Sequence, residues 1–258
     1  MCYNSVQLAE KIYRDAVRLG ATEEELNALA EKIEKMKELR ENNYHASGFN
    51  HSLLKAFYVN DGKLDLDVFS WGLIPFWTKT NEDAIQISMK TINARGETMF
   101  DKASFRDAAM HKRCVIPLEG YFEHHHKSKK TFPYYIHSKN NNSFLVGGIL
   151  STWLNPDTKE HKETIAIVTS KPTEELKIIH NNPKLKEPRM PLILDDESLN
   201  LWLKGDVNSI KALIQPNENI ELEYYTVRAL SGKMYVGNNE KILEKFSYPE
   251  LEEPWELF

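Results

Sequence analysis

The sequence predicts an α+β fold. We expect a single domain whose core is a curled, mainly antiparallel, barrel-like β-sheet flanked by helices, with two helices near the N-terminus. Residues 5–41 space their apolar side chains helically, whereas from residue 44 short apolar stretches alternate with turn residues. No internal repeat or low-complexity linker divides the 258 residues. The expected domain therefore covers 1–258, with a helical N-terminal region at 5–41, a mostly β core with short helices at 44–236 and an acidic tail at 237–258.

Two helices are predicted in the N-terminal region. In LAEKIYRDAVRL the apolar residues recur at helical spacing, and Gly20 is a typical C-terminal stop. The segment TEEELNALAEKIEKMKELR opens with Thr22 and Glu25, which stand in the register of a capping box. Its alternating charges indicate a solvent-facing surface, so we assign no chemistry to it.

The β core is predicted from short apolar segments bounded by turns. KLDLDVFSWGLIPFW alternates polar and apolar residues up to an interruption at Pro75, and SFLVGGILSTW, ETIAIVTS and EYYTVRAL are further strands. RCVIPLEGYFEHHHKSKKTFPYYIHS is predicted to form two strands that flank a basic turn. Short helices are expected at DDESLNLWLK, capped by Asp195 or Asp196, and at VNSIKALI.

Composition restricts the class of protein. A net charge of −5 argues against a general polyanion binder, although residues 91–140 carry nine Lys/Arg against five Asp/Glu, which is compatible with phosphate contacts. No apolar run approaches the ~18 residues that span a bilayer. The N-terminus shows no basic region followed by an apolar stretch, so we expect no secretory signal. Cys2 and Cys114 alone do not make a disulfide framework. We therefore expect a reduced, cytoplasmic protein.

Five short motifs place polar residues in apolar, strand-like surroundings. In chain order they are MCYN, WGLIPFW, NARGET, GYFEHHH and the segment HNNPKLKEPRMP. Together they resemble the SRAP family, the "SOS response-associated peptidase" domain. That family typically shows Met-Cys-Gly-Arg, W-G-x-x-P-x-W, N-A-R-x-E-T, G-[YWF]-F-E-W and H-x-R-x-P. The resemblance runs from Cys2 to about Leu194, and EYYTVRAL with VGN is similar to the last strand of the family.

The resemblance implies DNA chemistry at Cys2. SRAP proteins are understood to bind single-stranded DNA and to crosslink abasic sites through an N-terminal cysteine, as part of the DNA-damage and SOS response. Release of Met1, which could be autocatalytic, gives Cys2 an α-amine with a pKa of ~7.7–8, so that about a tenth or more is uncharged at pH 7. The amine can form a Schiff base with the sugar aldehyde, and the adjacent thiol then closes a thiazolidine. Schiff-base chemistry also permits lyase activity by β-elimination.

Three further residues match the catalytic positions of the family. His180, in IIHNN, implies a general acid that opens the sugar, suited by a pKa near 6.5. Glu123, in GYFEHHH, implies a carboxylate that holds the α-amine and exchanges its proton, although Glu119 would lie on the same side of an unbroken strand. Asn93, in TINARGET, implies an amide that binds the opened sugar or positions Cys2.

The resemblance also implies phosphate contacts. Arg95 lies two positions after the motif asparagine on a predicted strand, so it shares that face and can reach a phosphate, unless Glu97 holds it in an ion pair. Asn4 and His45 occupy DNA-contacting positions where the family usually has arginine and asparagine. Arg189 matches a further contact, but extra residues separate it from the motif histidine.

Aromatic residues supply candidate surfaces for base stacking. Trp77 and Phe76, with Tyr121 as a further candidate, can each stack an unpaired base, worth ~1–3 kcal/mol. Trp71 is expected in the core. The three histidines at 124–126 do not indicate a metal site, because alternate residues of a strand point to opposite faces and nothing completes a ligand set. We predict no metal and no cofactor.

Three functions remain open at this point. The first is covalent capture of abasic sites by a protein expected to be a monomer whose partner is single-stranded DNA and not a membrane. The second is a cysteine peptidase with Cys2 as nucleophile and His180 as base, whose first substrate is its own Met1–Cys2 bond. The third is a non-enzymatic module that binds damaged DNA, against which the acidic net charge counts.

Overall fold

The computed structural model describes residues 2–252. The helices in this range are α1 Ile12–Arg18, α2 Glu23–Lys35, α3 Lys37–Arg40, α4 Asn81–Ser88, α5 Arg106–His111, α6 Glu174–Ile179, α7 Leu199–Lys204, α8 Val207–Leu213 and α9 Pro249–Glu252. The strands are β1 Asn4–Gln7, β2 Asn43–Ser47, β3 Leu53–Asn60, β4 Lys63–Trp71, β5 Asn93–Arg95, β6 Arg113–Leu118, β7 Gly120–Lys127, β8 Lys130–Ser138, β9 Phe144–Leu154, β10 His161–Ser170, β11 Met190–Pro191, β12 Ile193–Leu194 and β13 Leu222–Thr226.

A closed barrel forms the core of the fold. Strand β10 pairs antiparallel with β9 and parallel with β4, so the order β10–β4–β3–β6–β9 returns to β10. The pairs β3–β4, β3–β6 and β6–β9 are all antiparallel. The short strand β5 runs parallel to β10 at its end. The expected α+β fold with a mainly antiparallel, barrel-like sheet is therefore confirmed.

A second sheet covers one side of the barrel. Its strand order is β13–β8–β7–β1–β2, and every neighbouring pair is antiparallel. The two sheets share one apolar core, to which the barrel contributes Trp71 and the second sheet contributes Tyr121 and Ile136. The prediction that Trp71 is a core residue is confirmed, and its indole nitrogen donates to the carbonyl of Ile92 at 2.9 Å.

The N-terminal helices pack on the outside of the barrel. The cluster that joins α1, α2 and α3 to β3 and β4 includes Phe57 and Leu66. The predicted capping box starts α2, with the backbone nitrogen of Glu25 donating to Thr22 Oγ1 and that of Thr22 donating to Glu25 Oε2. Among residues 2–252, no helix combines the length and the apolar character needed to cross a bilayer.

The boundary predicted for the helical region is wrong at its start. Residues Asn4–Gln7 form β1, and helical structure begins with a 3₁₀ turn at Ala9–Lys11. Strand β1 lies between β7 and β2, and the Gln7 side chain donates to the carbonyls of Lys55 at 2.9 Å and Pro117 at 2.8 Å. These partners are distant in sequence, so a local pattern does not indicate them.

The segment predicted as two strands contains three. Strand β6 belongs to the barrel, whereas β7 and β8 belong to the second sheet, and the chain changes sheet at Glu119. Gly120 follows the break, and a Cβ at this position would lie 2.5 Å from the carbonyl oxygen of Ile136. The close approach of two backbones therefore requires glycine here.

The region predicted as an acidic tail packs on the β core up to residue 252. A 3₁₀ helix at Glu240–Leu243 buries Ile242, and Val227 forms a bridge with Lys245. Lys130 of β8 then pairs with Glu250 at 2.7 Å. Residues 253–258, the end of the predicted tail, lie outside the described range.

Candidate active site

Cys2 lies immediately before β1, in the core shared by the two sheets. Its side chain is fully buried, and Sγ is 3.7 Å from the carbonyl oxygen of Asn4. Burial raises the pKa of the Cys2 thiol, and the neighbouring Glu123 carboxylate raises it further. The sulfur is therefore a protonated thiol at neutral pH, unlike the thiolate of an activated cysteine nucleophile. Met1 lies outside the described residues.

Asn93 holds the backbone of Cys2. Parallel pairing of β5 with β10 places Asn93 opposite Ile167, at the end of the barrel near Cys2. From there Asn93 Nδ2 donates to the Cys2 carbonyl oxygen at 2.7 Å. Its Oδ1 is buried without a hydrogen-bond partner among residues 2–252. Buried polar atoms are almost always satisfied, so this oxygen is suited to accept from a bound hydroxyl or amine.

Glu123 and His180 meet across two different elements. Glu123 lies on β7, next to β1. The Thr173 side chain caps α6 by accepting from the Leu176 nitrogen, and this six-residue helix leaves His180 at its C-cap. The two side chains are buried, with 3.4 Å between His180 Nδ1 and Glu123 Oε2.

Burial shifts the pKa values of Glu123 and His180 in opposite directions. It raises the pKa of Glu123 from 4.5 to about 7. It lowers the pKa of His180 from 6.5 to about 4. Charged forms are disfavoured away from water, so at pH 7 the imidazole is neutral while Glu123 is divided between both forms. The expectation that His180 keeps a pKa near 6.5 is wrong, and Glu123 is the group matched to proton exchange near neutral pH.

Glu119 does not compete with Glu123 for this role. The chain changes sheet at Glu119, so the two carboxylates do not share one face of an unbroken strand. Glu119 instead forms a salt bridge with Lys11 and accepts from Ser143 Oγ at 2.9 Å. It therefore joins the start of the helical region to the barrel.

A cationic groove begins at Asn93. It has a volume of about 820 Å³ and is lined in part by Trp77. Trp77 is 45% exposed and its neighbour Phe76 is 57% exposed. The exposed cationic side chains that line the groove are Lys79, Lys90, Arg95 and Lys102. Exposed rings beside cations are the elements with which proteins bind single-stranded nucleic acid.

Two of the expected DNA contacts are buried. Tyr121 is 1% exposed and packs against Phe144 with 6.1 Å between ring centroids, so it cannot stack on a base. Arg189 is 3% exposed, and its guanidinium donates to Glu97 at 2.9 and 2.5 Å. The interpretation of Arg189 as a phosphate contact is therefore wrong for this structure. The sequence suggested an ion pair between Glu97 and Arg95. In the structure, Glu97 pairs with Arg189 instead.

Asn4 and His45 contact each other. His45 Nε2 lies 3.0 Å from Asn4 Oδ1, and His45 Nδ1 lies 2.9 Å from the Tyr235 hydroxyl. Burial lowers the pKa of His45, so it is uncharged at neutral pH. The pair of Asn4 and His45 therefore carries no positive charge. Both ring nitrogens of His45 already have hydrogen-bond partners within the protein.

Two of the three consecutive histidines serve the fold. His125 Nδ1 lies 3.0 Å from the carbonyl of Ile178 on α6, and Asn181 bonds both backbone groups of His126. Together these contacts fasten the end of α6 to β7. Within residues 2–252, no group of three or more His, Cys, Asp or Glu side chains is arranged to hold a metal ion.

Sequence reasoning missed an aromatic pair beside Cys2. The rings of Tyr3 and Phe49 lie 4.7 Å apart at 31°, and Phe49 is exposed. Burial raises the pKa of Tyr3, as do Glu123 and Cys2, so the phenol borders the site. An aromatic residue directly after the cysteine was a signal for this. The groove lysines Lys79, Lys90 and Lys102 belong to none of the five motifs, so the sequence carried no signal for them.

Comparisons with known proteins identify the relatives of this chain. The family model described as SOS response associated peptidase (SRAP) matches residues 15–234. The abasic site processing protein YoqW of Bacillus subtilis (strain 168) is 36% identical over 177 residues, which is 67% of this chain and 74% of the relative. The abasic site processing protein HMCES of Gallus gallus is 31% identical over 173 residues, covering 58% of this chain and 49% of the relative.

A solved structure has the same fold. A crystal structure of a protein from Bacteroides thetaiotaomicron superposes with a TM-score of 0.79 and 32% sequence identity, covering 95% of this chain and 100% of the other. The five motifs in the sequence indicated this relationship. The family model covers most of the chain, and the chain belongs to the SRAP family.

Proposed function

We propose that this protein binds single-stranded DNA and captures abasic sites covalently through Cys2. The observation that carries the proposal is the cluster of Cys2, Asn93, Glu123 and His180 beside a cationic groove with an exposed tryptophan. Relatives named abasic site processing proteins support the same substrate. The reaction belongs to the DNA-damage response.

The first bond forms between the Cys2 nitrogen and the sugar. A nitrogen in the Met1–Cys2 peptide bond is an amide and cannot attack an aldehyde, so release of Met1 must come first. The free ammonium of Cys2 loses a proton to Glu123, and the resulting amine adds to the C1′ aldehyde. Glu123, with a pKa of about 7, then returns a proton to the departing hydroxyl. Water leaves, the nitrogen gives its remaining proton back to the Glu123 carboxylate, and a neutral Schiff base remains.

The second bond forms between sulfur and the same carbon. The Cys2 thiol adds across the C=N bond, sulfur to carbon and proton to nitrogen, and a five-membered thiazolidine closes. One water is released over both steps. Because burial keeps the sulfur protonated, the thiol brings the proton that the nitrogen needs. The two groups are on adjacent carbons, so the high effective concentration of an intramolecular partner accelerates closure.

The groove supplies the affinity for the strand. Arg95 and the groove lysines contact phosphates, while Trp77 and Phe76 stack bases, each worth about 1–3 kcal/mol. The neutral pair formed by Asn4 and His45 adds no charge. The cations that do bind phosphate are thus concentrated along one groove, which reconciles DNA binding with a net charge of −5.

The peptidase function is limited to self-processing in this proposal. A buried thiol with a raised pKa is a poor nucleophile toward foreign peptides. Cys2 itself, in contrast, already lies at the site, so cleavage of its own amide bond needs no binding step. Lyase activity follows from the same Schiff base whenever the thiol fails to close the ring before β-elimination.

A crosslinking assay tests the proposal. Protein without Met1, verified by mass spectrometry, is mixed with single-stranded DNA that carries one abasic site and is run on a denaturing gel. The wild-type protein should give a stable covalent band. Cys2→Ala keeps the amine but loses the sulfur, so its band should appear only after borohydride reduction and should be accompanied by strand cleavage.

Matched controls decide between the three functions. Cys114→Ala removes the second thiol and should crosslink like the wild type. A stable band for Cys2→Ala without reductant would contradict thiazolidine formation. Tight binding without any covalent band would favour the non-enzymatic module. Release of a fluorogenic peptide without a DNA band would favour the peptidase.

A further inference from the structure

Arg189 places a buried cation next to the candidate active site. Its guanidinium donates to Glu97 Oε1 at 2.9 Å, to Glu97 Oε2 at 2.5 Å and to the carbonyl of Thr169 at 2.7 Å. A two-pronged pair of this kind fixes orientation as well as charge. With a side chain only 2% exposed, the guanidinium does not reach the surface where a DNA phosphate would lie.

The backbone of the same residue touches His180. The Arg189 carbonyl oxygen lies 3.1 Å from His180 Nδ1. A carbonyl can only accept a hydrogen bond, so this contact requires the imidazole proton on Nδ1 and leaves the lone pair on Nε2. Glu123 Oε2, at 3.4 Å from the same Nδ1, is the competing acceptor.

The ion pair joins the two halves of the site. Glu97 lies in the 3₁₀ turn Gly96–Thr98 that follows β5, the strand of Asn93. Arg189 directly precedes β11, which pairs with the end of β10. The bond from Glu97 to Arg189 therefore fixes the chain around His180 relative to the strand that holds Cys2.

We propose that Arg189 is a positioning residue whose ion pair with Glu97 holds its carbonyl against His180 and so fixes the imidazole in its Nδ1–H form. This role rests on the proposed function of the site. It is distinct from a phosphate contact, because Arg189 acts through His180 and not on the DNA. In the fixed form, the lone pair of the ring is on Nε2.

Nuclear magnetic resonance tests the position of the proton without any reaction. Two-bond ¹H–¹⁵N correlations of ¹⁵N-histidine-labelled protein distinguish the two neutral forms, and His180→Gln assigns the signal. The wild type should show His180 with the proton on Nδ1. A wild-type signal with the proton on Nε2 would overturn the proposal, whatever the crosslinking assay shows.

Variants then separate positioning from DNA contact. Arg189→Ala should weaken the preference for the Nδ1–H form, lower the crosslinking rate at pH 7 and change the pH profile of that rate. The salt dependence of DNA binding should stay as in the wild type. Arg95→Ala is the matched control and should show a smaller salt slope and an unchanged His180 signal.

A second variant covers the case in which Arg189→Ala does not fold. Glu97→Gln keeps the size of the side chain and weakens the hold on the guanidinium. It should therefore shift the His180 signal and the pH profile of the crosslinking rate in the same direction as Arg189→Ala, but by a smaller amount. An unchanged signal and pH profile in a folded variant, together with a reduced salt slope for Arg189→Ala, would assign Arg189 to phosphate binding. Failure of wild-type crosslinking with the expected His180 signal would reject only the proposed function.

Discussion

Replacing Glu123 by Gln should change how stability depends on pH. Burial raises the pKa of Glu123 from 4.5 to about 7. Between these values the folded protein holds a proton that the unfolded chain has released. The stabilisation from this proton is fully present below pH 4.5 and is lost as the pH rises through 7, because the folded state must then ionise a buried carboxyl.

The size of the effect follows from the shift. A difference of this size corresponds to about 3 kcal/mol, at about 1.4 kcal/mol for each pKa unit. Glutamine does not titrate in this range. We therefore expect the free energy of unfolding of Glu123→Gln, relative to the wild type, to increase by about 3 kcal/mol between pH 4 and pH 8.

Urea unfolding followed by tryptophan fluorescence measures this difference at each pH. Both proteins should have the same N-terminus, since a charge there lies close to the site. His180→Gln is the control of opposite sign, because burial lowers the pKa of His180 to about 4 and the wild type gains stability as the pH rises toward 6.5. A difference for Glu123→Gln that is constant with pH would refute the buried, proton-exchanging carboxyl.

Substitutions at three further residues test the groove and the hold on Cys2. Arg95→Ala should reduce the slope of log affinity for single-stranded DNA against log salt by about 1, whereas Arg95→Lys should keep it, as measured by fluorescence anisotropy. Trp77→Ala should weaken the same binding by about 1–3 kcal/mol with an unchanged slope, and Trp77→Phe should recover most of the loss. Asn93→Ala removes a buried hydrogen bond to Cys2 and should raise the barrier to crosslinking by about 1–3 kcal/mol. Asn93→Asp places a carboxylate against the Cys2 carbonyl and should react no faster than Asn93→Ala.

Each of these predictions has an outcome that contradicts it. An unchanged salt slope for Arg95→Ala would remove that side chain from the phosphate path. Equal binding by Trp77→Ala and the wild type would show that the exposed ring does not stack on DNA. Wild-type crosslinking by Asn93→Asp would show that the amide donor is not needed to place Cys2.

The barrel and the gathering of the site were largely predictable from the sequence. The motifs that contain Asn93, Glu123 and His180 lie in strands or at a helix end whose apolar patterns are local, and the structure brings all three to Cys2. The start of the chain was not predictable, because β1 is held by β2 and β7 and not by its own pattern. Glu119 likewise separates two sheets within a segment that the sequence predicted as one strand.

The chemistry of individual side chains was harder to predict than their location. The pKa of His180 depends on desolvation, and the pairing of Arg189 with Glu97 spans more than ninety positions. Tyr121 carries an aromatic ring in a motif, yet alternation along β7 turns it into the core. The pKa of His180, the partner of Arg189 and the exposure of Tyr121 all depend on burial in the folded protein. The spacing of residues along a short segment does not predict that burial.

The placement of β1 inside its sheet, and not at an edge, has a consequence for synthesis. The strand that follows Cys2 is completed on one side by residues 43–47 but on the other only by residues 120–127. A ribosome that adds about 5–20 residues per second needs several seconds or more to reach that point. During this interval β1 lacks one of its two neighbours, and the later arrival of β7 completes the sheet around it. Strand order thus delays the assembly of the site around Cys2 until β7, which carries Glu123, has been made.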